Sequence, residues 1–136
     1  MATRREARER ALGLCYEVEA RGSSAEAVIA EQPASPDPYA CTLARGVDVH
    51  REEIDALLTR YSEHWAVDRM PAVDRALLRI GTYELGWEPG LAPGVVINEA
   101  VELAQQYSTK DSGRFVNGLL SRIAEHLRGG AREASA

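Results

Sequence analysis

Apolar residues recur at helical spacing along almost the whole chain, and no segment of useful length alternates apolar with polar residues. Alternation is typical of a half-buried strand, whereas steps of three and four residues place apolar side chains on one face of a helix. A chain of 136 residues, 45% of them hydrophobic, is long enough to bury a core. The sequence therefore predicts an all-α protein, a bundle of six to seven helices arranged as two small helical subbundles.

Capping residues and prolines indicate where the first helices begin and end. Thr3 with Glu6, and Ser23 with Glu26, have the spacing of a capping box, which predicts a first helix to about residue 21 and a short second one. Three prolines in residues 32–38 form a linker, after which Asp37 caps a helix with proline at its first position. We expect one domain over residues 1–130, with subbundles at about 1–62 and 67–128, and a flexible tail over 129–136.

Three later stretches predict longer helices. Residues 43–61 repeat apolar side chains in steps of four and three, which predicts the seam of one long packed helix that includes His50. Residues 72–87 leave little purely polar face, so we expect a central helix packed on more than one side. Apolar stripes within 97–104 and 116–127 predict two further helices.

The composition and the motifs exclude several functional classes. Cys15 and Cys41 lie within apolar helical patterns, which is typical of reduced core residues. His50, His64 and His126 are far apart, and none has a cysteine or second histidine at metal-ligand spacing. No nucleophile motif or phosphate-binding loop is present. The polar, charged start of the sequence and its short apolar runs predict neither a leader nor a membrane-spanning segment. We expect a cytoplasmic protein that is not an enzyme and that holds no metal or cofactor.

Four arginines, Arg4, Arg5, Arg8 and Arg10, lie in the first turns of the first predicted helix. Aligned peptide dipoles make a helix N-terminus partly positive, so cations there cost about 0.3–1 kcal/mol each. Because the formal net charge is −5, a nucleic-acid site on this chain would have to be a local basic patch. The alternative is an ordinary exposed helix face, on which the intervening glutamates pair with the arginines.

The last predicted helix carries a second candidate site. On a wheel of about 100° per residue, Phe115 lies beside the apolar stripe, and Asp111, Gly118 and Arg122 lie on the side turned away from it. Such a ledge could stack an unpaired base on the ring while Asp111 accepts hydrogen bonds from a base edge. The alternative is that Phe115 is a core residue and Asp111 a helix cap.

On the first helix, Leu12 and Tyr16 point away from the core stripe, toward either a second bundle or a partner protein.

Three blocks in order, RREARERALGLCY, AVDRALLRIGTYEL and VVINEAVELAQQYSTKDSGRFVNGLL, resemble the NusB family of transcription antitermination factors. The resemblance covers about residues 4–123. It implies two small helical bundles set at an angle. It also implies binding of the boxA element of nascent ribosomal RNA together with NusE, a ribosomal protein that doubles as a transcription factor. This complex would join the RNA polymerase elongation complex, so that polymerase passes terminators.

The resemblance also assigns residues. The family's RNA-binding arginines fall on Arg4, Arg5, Arg8 and Arg10, and its aspartate and phenylalanine before and within the last helix fall on Asp111 and Phe115. Tyr16 and Asp74 match positions expected to contact RNA or NusE. Glu6 interrupts the arginine cluster, where relatives often have a more continuously basic arm.

Two other functions are compatible with the residues. A helical module that binds only protein, including a homodimer with a buried arginine face, would use the same surfaces without RNA. A NusB-like domain also precedes the catalytic domain of a ribosomal RNA methyltransferase, but a chain of this length is expected to lack that second domain.

Overall fold

A computed structural model describes residues 2–63 and 65–129 of the chain, and these residues form seven α-helices and no strand. The all-α prediction is confirmed. In chain order the helices are α1 Arg4–Arg21, α2 Ala25–Ala30, α3 Pro38–Val49, α4 Arg51–Tyr61, α5 Ala72–Trp87, α6 Pro93–Tyr107 and α7 Ser112–Ala124. A 3₁₀ turn, Val67–Arg69, precedes α5, and a π-helical turn, Glu125–Gly129, follows α7. Beyond Gly129 the predicted tail lies outside the described residues, as does His64.

The ends of α1 follow from local hydrogen bonding. Thr3 and Glu6 form the predicted capping box, in which the Thr3 hydroxyl accepts from the Glu6 amide and the Glu6 carboxylate accepts from the Thr3 amide. Gly22, at φ +60°, ends the helix in the left-handed conformation that glycine tolerates best. Its neighbour Ser23 donates its amide to the Val18 carbonyl, as in a Schellman motif.

The predicted cap of α2 was wrong by one residue. Ser23 already belongs to the end of α1, so Ser24 caps α2 by accepting a hydrogen bond from the amide of Ala27. The prediction for α3 is confirmed, since the Asp37 carboxylate accepts from the amides of Tyr39 and Ala40, and proline is at the first helical position.

The single long helix predicted over residues 43–61 is instead two helices that meet at His50. The His50 ring stacks on Trp87 of α5 with centroids 4.2 Å apart. Its backbone, at φ −103° and ψ 20°, leaves the α-helical region there. The apolar spacing continues through this bend because both helices turn an apolar edge toward α5. Spacing alone therefore does not reveal the break.

Helix α5 runs through the middle of the protein and packs against α1, α3, α4, α6 and α7. Residues 76–85 form an unbroken buried run, so the prediction of a central helix packed on several sides is confirmed. Gly81 permits the close approach of α7, because a Cβ at this position would lie 2.7 Å from a methyl group of Leu120.

The remaining helices group around α5. Helices α1, α2 and α3 contact one another, α6 and α7 form the most extensive helix pair, and α4 lies against α5 and α7. The division into subbundles at about 1–62 and 67–128 stays a prediction. Cys15 and Cys41 are buried free thiols, as predicted. Within the part of the chain that the structure describes, no helix is long and apolar enough to cross a membrane.

Charged side chains also lie in the interior, and they connect the helices. Arg8 of α1 makes a two-pronged ion pair with Glu84 of α5, with N···O distances of 3.0 and 3.1 Å. The side chains are 4% and 1% exposed. The Tyr39 hydroxyl of α3 donates to the same carboxylate at 2.5 Å. Burial raises the pKa of Tyr39, and the adjacent Glu84 carboxylate adds to the effect. Three helices therefore meet at one buried charge pair.

A second network joins α1, α4 and α5. Arg79 donates to both Asp55 oxygens at 2.9 Å and to Glu19, while Arg75 donates to Glu19 and to two backbone carbonyls before α5. The hydrogen bonds from Arg75, followed by those from Arg79, lower the pKa of Glu19 to about 2. Glu19 therefore remains ionised in the folded protein at neutral pH.

Replacing Arg8 alone, as Arg8→Met, is expected to lower the free energy of unfolding by about 3–5 kcal/mol, because Glu84 is left buried without its counter-charge. Urea denaturation followed by circular dichroism measures this. Combining Arg8→Met with Glu84→Gln, which still accepts from Tyr39, should recover part of the loss. The control is Arg45→Met, which removes an exposed pair with Glu26 and should leave the transition almost unchanged. If Arg8→Met lowers the free energy of unfolding as little as the control does, the buried pair does not hold the helices together.

Candidate nucleic-acid interface

The predicted arginines do not form one free cationic arm. Arg4 is exposed and lies over the Tyr39 ring, with its guanidinium carbon 3.8 Å from the ring centroid. Arg10 is exposed and donates to the side-chain carbonyl of Gln32 on the segment after α2. A cation–π contact at an exposed position is weak, and so is a single exposed hydrogen bond from a guanidinium to an uncharged amide, because water competes with both. These two guanidinium groups therefore lie at the surface and can exchange their present contacts for a phosphate.

Arg5 is half-buried and paired with two carboxylates. It donates to Glu99 and to Glu102, both on α6. The hydrogen bond that Arg5 donates to Glu99 is the main cause of the raised pKa of Arg5. Because the Arg5 and Glu102 side chains are 37% and 44% exposed, solvent weakens this pair. A phosphate would have to compete with the two glutamates for Arg5.

Arg8 is not part of this surface, which corrects its assignment to an RNA-binding arm. Its guanidinium is committed to Glu84, and its side chain is 4% exposed. The periodicity of the first turns could not show this, because the partner lies 76 residues further along the chain. In the structure Arg8 holds α1 against α5 and so positions the exposed arginines on either side of it.

Glu6, the acidic residue within the arginine cluster, is a helix cap. Its carboxylate accepts from the amide of Thr3 at 2.9 Å, and this backbone hydrogen bond is the main cause of its lowered pKa. A carboxylate in the first turn also offsets the unfavourable interaction of arginines with the helix dipole. Glu6 therefore compensates locally for the positive charge that the arginines place at the start of α1.

The predicted ledge at the start of α7 forms one wall of a pocket of about 170 Å³. Asp111 is exposed, and its side chain makes no capping hydrogen bond. Phe115 is half-buried and contacts Trp65 edge to face, with centroids 5.1 Å apart and planes at 72°. Thr109 and Ser112 complete this side of the pocket. An exposed carboxylate beside an apolar aromatic cleft suits a planar ring that carries N–H donors.

Asp74 is buried beneath the pocket. The structure therefore does not place its side chain at the surface, where it could contact RNA or a partner directly. The side chain is 1% exposed and accepts hydrogen bonds from Ser108 and from Ser112, the latter at 2.8 Å. Ser112 is also bonded to Thr109. The carboxylate of Asp74 therefore ties the loop between α6 and α7 to the first turn of α5. It positions Asp111 and Phe115 from below.

Two tyrosines extend the surface from the pocket toward α1. Tyr107, at the end of α6, is 46% exposed and donates to Glu9 of α1 at 2.6 Å, a hydrogen bond that raises its pKa. Tyr16 is 48% exposed, whereas Leu12 is buried. Of the two side chains predicted to point away from the core of α1, Leu12 packs among the neighbouring helices and Tyr16 faces solvent. Tyr107 connects the arginine end of α1 to the loop that carries Asp111.

Several residues of this region were not predicted from the sequence. Trp65 lies in the connector between α4 and α5, and the signal for it was a tryptophan in an otherwise polar segment. Lys110 and Arg114 are exposed and flank Asp111 and Phe115 in sequence, which adds positive charge near the pocket. Arg122, assigned to the ledge by the wheel, instead donates to the carbonyl of Tyr61 at 2.7 Å.

In the described ranges 2–63 and 65–129, no group of three or more histidine, cysteine, aspartate or glutamate side chains could hold a metal ion. Burial raises the pKa of the Cys15 thiol to about 12, so this cysteine is an unreactive core residue. The surface is suited to binding.

Comparisons with known proteins find the same family over most of the chain. The model of the NusB family matches residues 5–125. A transcription antitermination protein NusB from Kineococcus radiotolerans is 49% identical over 129 residues, which span 92% of this chain and 95% of the relative. Another from Saccharopolyspora erythraea is 46% identical over 99% of this chain and 97% of the relative.

Two solved structures are similar in fold and in sequence. A structure of T. maritima NusB aligns with a TM-score of 0.82 at 35% identity, covering 97% of this chain and 98% of that one. A crystal structure of the antitermination factors NusB and NusE in complex with double-stranded RNA contains a chain that aligns with a TM-score of 0.77. That chain is 32% identical, and the alignment covers 90% of this chain and 96% of that one.

Proposed function

The chain belongs to the NusB family, and from this we propose that it is an RNA-binding transcription antitermination factor that acts together with NusE. The relative solved with NusE and RNA has the same fold over nearly its whole length. The protein binds its partners and is not an enzyme. It acts where bacterial transcription takes place, in the cytoplasm.

One connected surface of the protein supports this function. It begins on α1 at the exposed Arg4 and Arg10 and the half-buried Arg5. It continues through the Tyr107–Glu9 hydrogen bond to the pocket at Asp111 and Phe115. Arginines bind phosphates without reading sequence, whereas an aromatic ring beside an acceptor contacts unpaired bases. The two ends of the surface thus have the two properties that recognition of single-stranded RNA requires.

The preferred RNA in this proposal is the boxA element of nascent ribosomal RNA, and the bound complex joins the RNA polymerase elongation complex. NusE supplies part of the affinity, because the surface of this chain is only moderately basic. Arg5 is held by two glutamates and Arg8 is buried. Tyr16, which is exposed on α1, is a proposed contact for NusE or RNA. Asp74 contributes indirectly, by holding the α6–α7 loop.

Replacing Phe115 by alanine tests the base-binding end of the surface. Loss of stacking is expected to weaken binding of boxA RNA to the complex with NusE by about 5- to 150-fold, which corresponds to about 1–3 kcal/mol. Fluorescence anisotropy of labelled RNA measures the change. Arg45→Ala, which removes a charge from the exposed face of α3, is the control and should change the affinity little. Unchanged affinity in the Phe115 variant would remove this residue from the RNA site.

Replacing Glu102 by glutamine tests the competition for Arg5. The variant keeps the size of the side chain but removes a negative charge that faces the guanidinium. Because an exposed pair of this kind contributes about 0.2–1 kcal/mol, RNA affinity should rise by about 1.4- to 5-fold.

The matched control for this prediction is Glu26→Gln, which removes the same charge from an exposed pair with Arg45. It should have a smaller effect, limited to the change in net charge. If both variants raise the affinity equally, Arg5 does not exchange Glu102 for a phosphate.

A further inference from the structure

We propose that Trp65 stacks on an unpaired base of the bound RNA and forms, with Phe115, a two-walled aromatic cleft. This inference rests on the proposed function. It adds a residue of the α4–α5 connector to the RNA surface. Trp65 is 43% exposed and lines the pocket at the start of α7, so part of its ring is open to a ligand there.

The position of Trp65 is set by contacts on both sides of it. Its carbonyl accepts from the Ser62 hydroxyl at 2.7 Å. Beyond it, the carbonyls of Val67 and Met70 accept from Arg75 of α5. The ring itself packs edge to face on Phe115. The connector is therefore anchored at both ends, and the indole is held at the rim of the pocket.

The geometry leaves room for one planar group. Because the two rings are at 72°, one ring face and the edge of the other form adjacent walls of the 170 Å³ pocket. A single base stacked on one ring would contact the other through its edge. The exposed Asp111 carboxylate lies at the same pocket and can accept from base N–H groups. Stacking on a side chain requires an exposed base face, so the cleft favours an unpaired base.

Charge at the pocket is compatible with RNA. Asp74, the other carboxylate lining it, is already bonded to Ser108 and Ser112 and is buried. Lys110 and Arg114 are exposed beside the ledge and can meet the phosphates on either side of a stacked base. Stacking on an aromatic side chain is tolerant of base identity, so Trp65 should contribute affinity more than sequence preference.

Intrinsic fluorescence tests this inference, because the chain contains two tryptophans, Trp65 and Trp87. Trp87 is half-buried and stacks on His50 and Tyr83 at the far end of α5, about 20 Å along the helix from Asp74. In the Trp87→Phe variant bound to NusE, boxA RNA should quench Trp65 emission with the same midpoint as anisotropy of labelled RNA. In the complementary variant Trp65→Phe, which retains Trp87, the tryptophan emission should not change when boxA RNA is added.

A variant without either tryptophan, bound to NusE, provides the background emission of the partner. Trp65→Ala should weaken RNA binding by about 5- to 150-fold, whereas Trp65→Phe, which keeps an aromatic face, should retain most of the affinity. If labelled RNA still binds but Trp65 emission does not change and Trp65→Ala binds normally, the inference is wrong and the proposed function stands. If the unaltered protein with NusE binds no RNA, both are overturned.

Discussion

The buried ion pair between Arg8 and Glu84 is the constraint on which the rest of the structure depends. A charge removed from water is tolerated only when it is paired and hydrogen-bonded. Here Arg8, Glu84 and the Tyr39 hydroxyl satisfy one another across α1, α5 and α3. The pairing specifies how α1 lies on the central helix. It also leaves Arg4, one turn before Arg8, at the surface over Tyr39 of α3, and places Arg5 against α6.

A second buried carboxylate has the corresponding role at the other end of the proposed RNA surface. Asp74 holds the α6–α7 loop through two serine hydroxyls, so Asp111 and Phe115 are presented by a bonded loop. Both ends of the surface are thus anchored to the same helix, α5. The distance between the arginines proposed to contact phosphates and the pocket proposed to contact a base is therefore set by a single helix, which would reduce the ordering that RNA binding requires.

Local features were predictable from the sequence, and long-range pairings were not. The helical character of the chain and the caps Thr3 and Asp37 depend on residues a few positions apart, and these predictions were confirmed. The single helix over residues 43–61 and the cap at Ser23 were wrong. Asp111 and Phe115 line one pocket, as the wheel had suggested. The burial of Arg8 and Asp74 depends on partners many residues away, which no periodicity contains. Trp65 was missed because a single aromatic residue in a connector has no pattern until the fold brings it against α7.

Recognition of RNA by this surface in the presence of NusE has one direct test. It is a titration of boxA RNA and a scrambled RNA of the same composition, with and without NusE, at several salt concentrations. We expect boxA to bind more tightly when NusE is present. We also expect log K to fall linearly with log salt concentration, with a slope of roughly −0.7 per phosphate neutralised. Equal binding of the two RNAs under all conditions, or a protein that binds NusE but no RNA, would show that the surface does not recognise boxA and would favour a module that recognises only protein.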